Sequence, residues 1–159
     1  MRTFYTCCVL GHKTISETIE LKSNLYEIIE TLILKENVDT FLFGSKSDFN
    51  DLCFNIVTKM KDEKYPHIKR IYVRAEYPYI NEDYRNYLLK NYENTYFPHK
   101  ALNSGKSVYV KRNYEMIDNS HFCIVYYDGQ NASANRKSGT KIALDYAIKK
   151  GKHIIKLPK

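Results

Sequence analysis

His121-Phe122-Cys123-Ile124-Val125-Tyr126-Tyr127, followed by the polar run Asp128 to Ser138 and then Gly139-Thr140-Lys141-Ile142-Ala143-Leu144, decides the fold. A run this apolar reads as a strand buried on both faces, as in the interior of a parallel sheet. Ser138-Gly139-Thr140 opens a helix to Lys150, because a hydroxyl residue there satisfies free N–H groups of the first turn. Gly151 closes that helix as a C-cap, and His153-Ile154-Ile155 is the next strand. Strand, helix and strand in this order form the unit of a parallel sheet.

The same alternation extends toward the N-terminus. Thr3 to Leu10 is a short apolar and β-branched strand ended by Gly11. Leu25, Ile28, Ile29, Leu32 and Ile33 then follow the spacing of an amphipathic helix that stops near Glu36-Asn37. Thr40 to Phe43 is a second strand, cut by Gly44. Ser47 or Asp48 caps a helix through about Lys61, with Phe49, Cys53, Ile56, Val57 and Met60 facing inward.

Ile68 to Val73 is a third strand, and Pro78 stops its exit, Arg74-Ala75-Glu76-Tyr77, from continuing as regular structure. A mostly polar helix follows over Glu82 to Asn91, then a short strand at Tyr96-Phe97 ended by Pro98. Between Lys106 and Ile117, Val108-Tyr109-Val110 favours a strand, whereas Val110, Tyr114 and Ile117 share a helical face. The turn Asp118-Asn119-Ser120 and the strong strand after it favour helix. The predicted fold is a single α/β domain over 1–159, a Rossmann-like three-layer sandwich with a mainly parallel central sheet and helices on both faces.

A chain of 159 residues that is 43% hydrophobic supports one core of this size. No run approaches the roughly 20 apolar residues of a membrane span, and Met1-Arg2-Thr3-Phe4-Tyr5 lacks the layout of a signal peptide. A cytoplasmic protein with no membrane partner is expected. Cys7, Cys8, Cys53 and Cys123 lack metal-ligand spacing and read as buried thiols, so no metal is expected; Cys7 and Cys8 would face opposite sides of a strand. The net charge of +7 is dispersed, with its tightest group at Lys149-Lys150 and Lys152. It reads as attraction for a small anion, with a nucleic-acid surface as the weaker alternative. Fifteen tyrosines without a tryptophan carry no weight as evidence of base stacking.

In an open parallel sheet, ligands bind outside the C-terminal ends of the strands. Three loops reach that edge. Gly11-His12-Lys13-Thr14 supplies a flexible backbone, a cation and a hydroxyl; Gly44-Ser45-Lys46-Ser47 supplies nearly the same set; Ser138-Gly139-Thr140 supplies free N–H groups at a helix start. Such groups, with the helix dipole, suit a phosphate or another anion. Gly-x-Gly-x-x-Gly and Gly-x-x-x-x-Gly-Lys-[Ser/Thr] are both absent, which removes the usual dinucleotide and P-loop readings. His12 is a candidate phosphate contact or acid/base, Glu76 a candidate for ribose hydroxyls, and Asp118 and Asp128 are further carboxylates. Arg112 either clamps a phosphate or pairs along its helix with Glu115 or Asp118.

Four segments carry a family resemblance: Thr6 to Lys13, Phe41 to Asn50, Arg112 to Asp118, and Ser138-Gly139-Thr140 with Ala147 and Gly151-Lys152. Together they resemble the YpsA-like branch of the SLOG superfamily over nearly the whole chain. That resemblance implies a Rossmann-like fold related to the LOG phosphoribohydrolases and the DNA-processing protein A domain, and a nucleotide-derived ligand. The branch reads Gly-His-Arg, Gly-Gly-Ala-x-Gly-Phe-Asp and Gly-Gly-Thr in its three loops. This chain has Gly11-His12-Lys13, Gly44-Ser45-Lys46-Ser47-Asp48-Phe49-Asn50 and Ser138-Gly139-Thr140, exchanging several glycines for Ser and Lys.

The last segments also look like nucleoside 2-deoxyribosyltransferases, whose nucleophilic glutamate stands in Gly-Thr-x-x-Glu; here that position is Ala143. LOG enzymes carry Gly-Thr-x-Glu, where this chain has Ile142. The leading expectation is therefore binding or sensing of a nucleotide or nucleotide-derived ligand, with no cofactor required. The alternative is a hydrolase or transferase acting on an N-glycosidic bond, with Glu76, Asp118 or Asp128 in place of the missing glutamate. A homo-oligomer is compatible with either.

Overall fold

A computed structural model describes residues 2–129 and 138–158, so the expected polar loop falls in large part, at 130–137, outside the described residues. The elements are β1 (Tyr5–Gly11), α1 (Ile19–Lys35), β2 (Val38–Phe43), α2 (Asp48–Glu63), β3 (Lys69–Val73), α3 (Glu82–Leu88) and β4 (Asn94–Tyr96). After 3-10 turns at His99–Ala101 and Gly105–Ser107 come α4 (Val108–Asp118), β5 (Phe122–Tyr126), α5 (Gly139–Lys149) and β6 (His153–Leu157). All strand pairs are parallel, in the order β4-β3-β2-β1-β5-β6. This is the Rossmann-like α/β architecture.

Every helix but α4, whose N-cap Ser107 makes no side-chain cap bond, starts where a short polar side chain accepts from its first turn. Thr18 accepts from Leu21 N–H, Ser47 from Asn50 N–H, Asn81 from Tyr84 N–H and Ser138 from Lys141 N–H. Alternation along the strands then sorts side chains to two faces. Cys7 and Val9 join a core under α1 and α2 with the fully buried Phe41, Phe43 and Phe49. Burying each such phenylalanine contributes about 2–3 kcal/mol. Cys8 and Leu10 join the opposite core, under α4 and α5, with Met116, Ile117, Leu144 and Ala147. The chain steps from β1 to β4 in one direction and then returns to the other side of β1, so the topological switch point lies between β1 and β5.

The helix over α4 forms despite Val108-Tyr109-Val110, because Arg112, Met116 and Ile117 bury one face while Tyr109 stays exposed. The short strand lies earlier than Tyr96-Phe97: Asn94, Thr95 and Tyr96 pair with Ile71, Tyr72 and Val73, and Thr95 Oγ1 donates to Tyr72 O. α3 ends at Leu88, three residues before the expected Asn91. Ile56 is half-buried rather than enclosed. Among the described residues, no helix is long and apolar enough to cross a membrane.

Candidate functional site

At the C-terminal ends of the strands, the loop after β1 is held on both sides. Gly11 has no room for a side chain, since a Cβ there would overlap the Phe49 ring. His12 Nε2 accepts from Asp128 N–H at 2.8 Å, and its ring lies against Tyr126 and Tyr127. Phe49 also packs on Tyr126, with ring centroids 5.3 Å apart. These rings lie at the C-terminal ends of β1 and β5, and two cavities among the described residues lie to one side of them, over β2 and β3.

Lys13 and Asp48 tie this loop to the start of α2. Asp48 N–H donates to Lys13 O at 2.8 Å, and Ile15 N–H donates to Asp48 Oδ2 at 3.3 Å. The Lys13 side chain is left exposed over the strand ends. In the next loop Gly44 N–H donates to Asn50 Oδ1 at 3.3 Å. A Cβ on Gly44 would sit 2.8 Å from Arg112 Cδ, 2.9 Å from Met116 Sδ and 3.0 Å from Val73 O. Glycine at this position is what allows α4 to pass so close.

Arg112 is 4% exposed. Its Nη1 donates to Gly44 O, its Nε donates to Asn113 Oδ1 at 3.0 Å, and its guanidinium lies 5.7 Å from the centroid of the Tyr109 ring. Nη2 has no acceptor among the described residues. Burial lowers the guanidinium pKa below its ordinary value, yet arginine stays charged at neutral pH. The expected alternative, pairing with Glu115 or Asp118, is not what forms. Both carboxylates hold Lys100, at 3.2 and 2.8 Å, because they face the 3-10 turn at His99–Ala101 while Arg112 turns inward beneath Gly44.

Lys46 Nζ meets Glu76 at 3.1 Å, and this hydrogen bond raises the lysine pKa. The Lys46 side chain is 75% exposed, so solvent screens the pair and an incoming anion can compete for the lysine. Ser45 and Ser47 share a hydroxyl contact of 3.2 Å. A cavity of about 490 Å³ lies among Lys13, Gly44, Lys46, Glu76, Tyr109 and Arg112. A second, of about 500 Å³, extends toward α2 and α3 past Asp51, Tyr84, Tyr87 and Asn91. The two share Lys13, Ser45, Lys46 and Tyr72, and so form one trough over the ends of β2 and β3. Burial pushes the Tyr72 hydroxyl up and that of Tyr92 to about 12, so both rings are neutral donors at physiological pH.

The structure thus brings Lys13, Gly44, Ser45, Lys46, Glu76 and Arg112 around one space. Gly11 and His12 stand beside it, committed to packing and to the Asp128 backbone. Ser138, Gly139 and Thr140 start α5 on the same edge but line neither cavity; Ser138 caps the helix and Thr140 is buried. Asp118 ends α4 just before β5 and therefore lies at the opposite edge of the sheet. It accepts from Lys100 and from the Tyr146 hydroxyl at 2.7 Å. Burial alone would raise its pKa, and these bonds reverse that, leaving the carboxyl below its ordinary value.

Sequence reasoning missed Tyr72, Tyr109, Asp51 and the α3 pair Tyr84 and Tyr87. The available signal was the three-residue spacing of Tyr84 and Tyr87 on an otherwise polar helix. A third cavity of about 400 Å³ lies at the N-terminal ends of β5 and β6, with Leu32, Phe122 and Ile155 among its walls and Glu27 and Glu36 at its rim. It has no lysine or arginine in its lining. No protein-family model matches the chain, and no curated protein matches it.

Proposed function

We propose that the chain binds a phosphate-bearing ligand of the nucleotide class in the trough over β2 and β3, and that its task is binding rather than bond cleavage. Arg112 carries this reading. A buried cation is costly unless an anion or several acceptors compensate it, and among the described residues Arg112 hydrogen-bonds only to the neutral acceptors Gly44 O and Asn113 Oδ1, with the Glu76 carboxylate acting on it across the cavity that both border. Its planar fork suits two oxygens of a phosphate, and the exposed cations Lys13 and Lys46 border the same cavity.

The resemblance to YpsA-like SLOG proteins supports the same ligand class. Ile142 and Ala143 at the positions of the two enzymatic glutamates, and Asp118 at the far edge of the sheet, favour binding over N-glycosidic chemistry. A cytoplasmic location belongs to the same reading, in keeping with four free, buried cysteines.

The test is thermal unfolding with AMP, GMP, CMP, UMP and ADP-ribose at low salt, followed by calorimetric titration of any compound that stabilises. At 100 times its dissociation constant a ligand adds about 2.7 kcal/mol. Saturable stabilisation by at least one compound is expected; no shift and no heat across the set would overturn the proposal.

A further inference from the structure

The phosphate reading leaves half of the trough unused, and this half has a different chemistry. A phosphate group is small beside a cavity of about 490 Å³, which opens past Tyr72 and Lys46 into a second of about 500 Å³. Arg112 and Glu76 line only the first, while Lys13 and Lys46 stand where the two meet. The far end of the second is aromatic and acidic, with Tyr84 and Tyr87 of α3, Tyr92 behind them, Asn91, and Asp51 from the first turn of α2. Tyr87 is 61% exposed, and its ring lies 6.1 Å from that of Tyr84. Tyr72 and Tyr92 stack at 5.3 Å and hold the floor between the two ends. Asp51 N–H donates to Ser47 O at 3.0 Å, and the Asp51 carboxylate has no hydrogen bond or ion pair among the described residues.

We infer that the aromatic half is a nucleoside subsite, in which a nucleobase lies against Tyr84 and Tyr87 and Asp51 accepts from a sugar hydroxyl or base amino group, while the phosphate meets Arg112. This inference rests on the phosphate reading and adds direction to it: the ligand lies across the ends of β2 and β3, base toward α3 and phosphate toward α4. Aromatic rings hold bases of any sequence by stacking, whereas a single carboxylate aimed at donors selects against a second phosphate at that end. The subsite therefore takes a nucleoside monophosphate in preference to a bare sugar phosphate or pyrophosphate.

Calorimetric titration of AMP, ribose 5-phosphate and inorganic pyrophosphate into the wild-type chain, Tyr87→Ala and Asp51→Asn tests this. Tyr87 and Asp51 are exposed, and circular dichroism verifies that each variant folds. Wild type should bind AMP about tenfold or more tighter than ribose 5-phosphate, and Tyr87→Ala should shrink that ratio while leaving ribose 5-phosphate affinity unchanged. Asp51→Asn should weaken AMP severalfold and, by removing the charge that repels a second phosphate, tighten pyrophosphate. Equal affinity for AMP and ribose 5-phosphate, or an equal loss of both in Tyr87→Ala, would overturn the nucleoside subsite and leave the phosphate site standing. No binding of any of the three probes would overturn both.

Discussion

Arg70 at the start of β3 and Arg112 in α4 are both buried, at 8% and 4% exposure, yet they are held in opposite ways. Arg70 makes a planar two-point pair with Glu93, Nε and Nη2 donating at 3.0 and 2.8 Å, and Nη1 donates to Thr58 Oγ1 at 3.1 Å. Its charge is matched within the fold. Arg112 is held by shape, beneath a glycine and against Met116 and Tyr109, with neutral acceptors and one nitrogen uncommitted among the described residues. Arg70 carries its own carboxylate, whereas the hydrogen bonds of Arg112, like those of the buried Arg74, go to neutral acceptors among the described residues; Arg112 differs from Arg74 in bordering the cavity of the proposed site.

This contrast is open to direct attack. Glu93→Ala leaves the Arg70 charge buried without its partner and should cost about 2–3 kcal/mol in urea unfolding, below the full penalty of a broken buried pair because Glu93 is about one-third exposed. Arg112→Met should change stability by about 1 kcal/mol or less, since loss of the Gly44 O hydrogen bond is offset by removal of a desolvated charge. Equal losses in the two variants would make Arg112 a second structural cation and break the comparison.

The glycines sharpen it. Gly11→Ala, which overlaps the Phe49 ring, should cost about 2 kcal/mol, and Gly44→Ala, which pushes on Arg112, Met116 and the Val73 carbonyl, about 1–2 kcal/mol. Gly139→Ala meets open space and should stay within about 0.5 kcal/mol. Thermal or urea unfolding of the three variants orders them.

The smallest effect is acidic. Burial would raise the Glu93 pKa, and the Arg70 hydrogen bonds outweigh it, so the folded carboxyl sits below its ordinary value of 4.5. A depressed carboxyl stabilises fully above the unfolded pKa and loses that contribution as pH falls through the folded value. Stability between about pH 5 and 3 should therefore fall less in Glu93→Gln than in wild type, by a fraction of a kcal/mol after solvent screening.

Much of the fold was legible because β1, β2 and β5 are buried on both faces and leave unbroken apolar runs, while Ser47 and Ser138 announce their helices. β4 was displaced by two residues because its three positions are chosen by pairing with Ile71, Tyr72 and Val73, which no local pattern reports. Arg112 was a visible candidate, but its burial depends on Gly44, 68 residues away. Of the trough, Lys13, Gly44, Ser45, Lys46, Glu76 and Arg112 were legible as candidates, and its aromatic part was not. Its walls come from five separate stretches, and Tyr72, Tyr84 and Tyr87 were hidden among fifteen tyrosines that composition alone cannot sort.

The most direct measurement is calorimetric titration of AMP into wild type and Arg112→Met at low salt, with unfolding curves recorded on the same samples. Saturable binding to wild type and at least tenfold weaker binding to Arg112→Met, at nearly unchanged stability, is the expected result. Equal affinity in the two proteins would contradict a ligand role for the buried arginine.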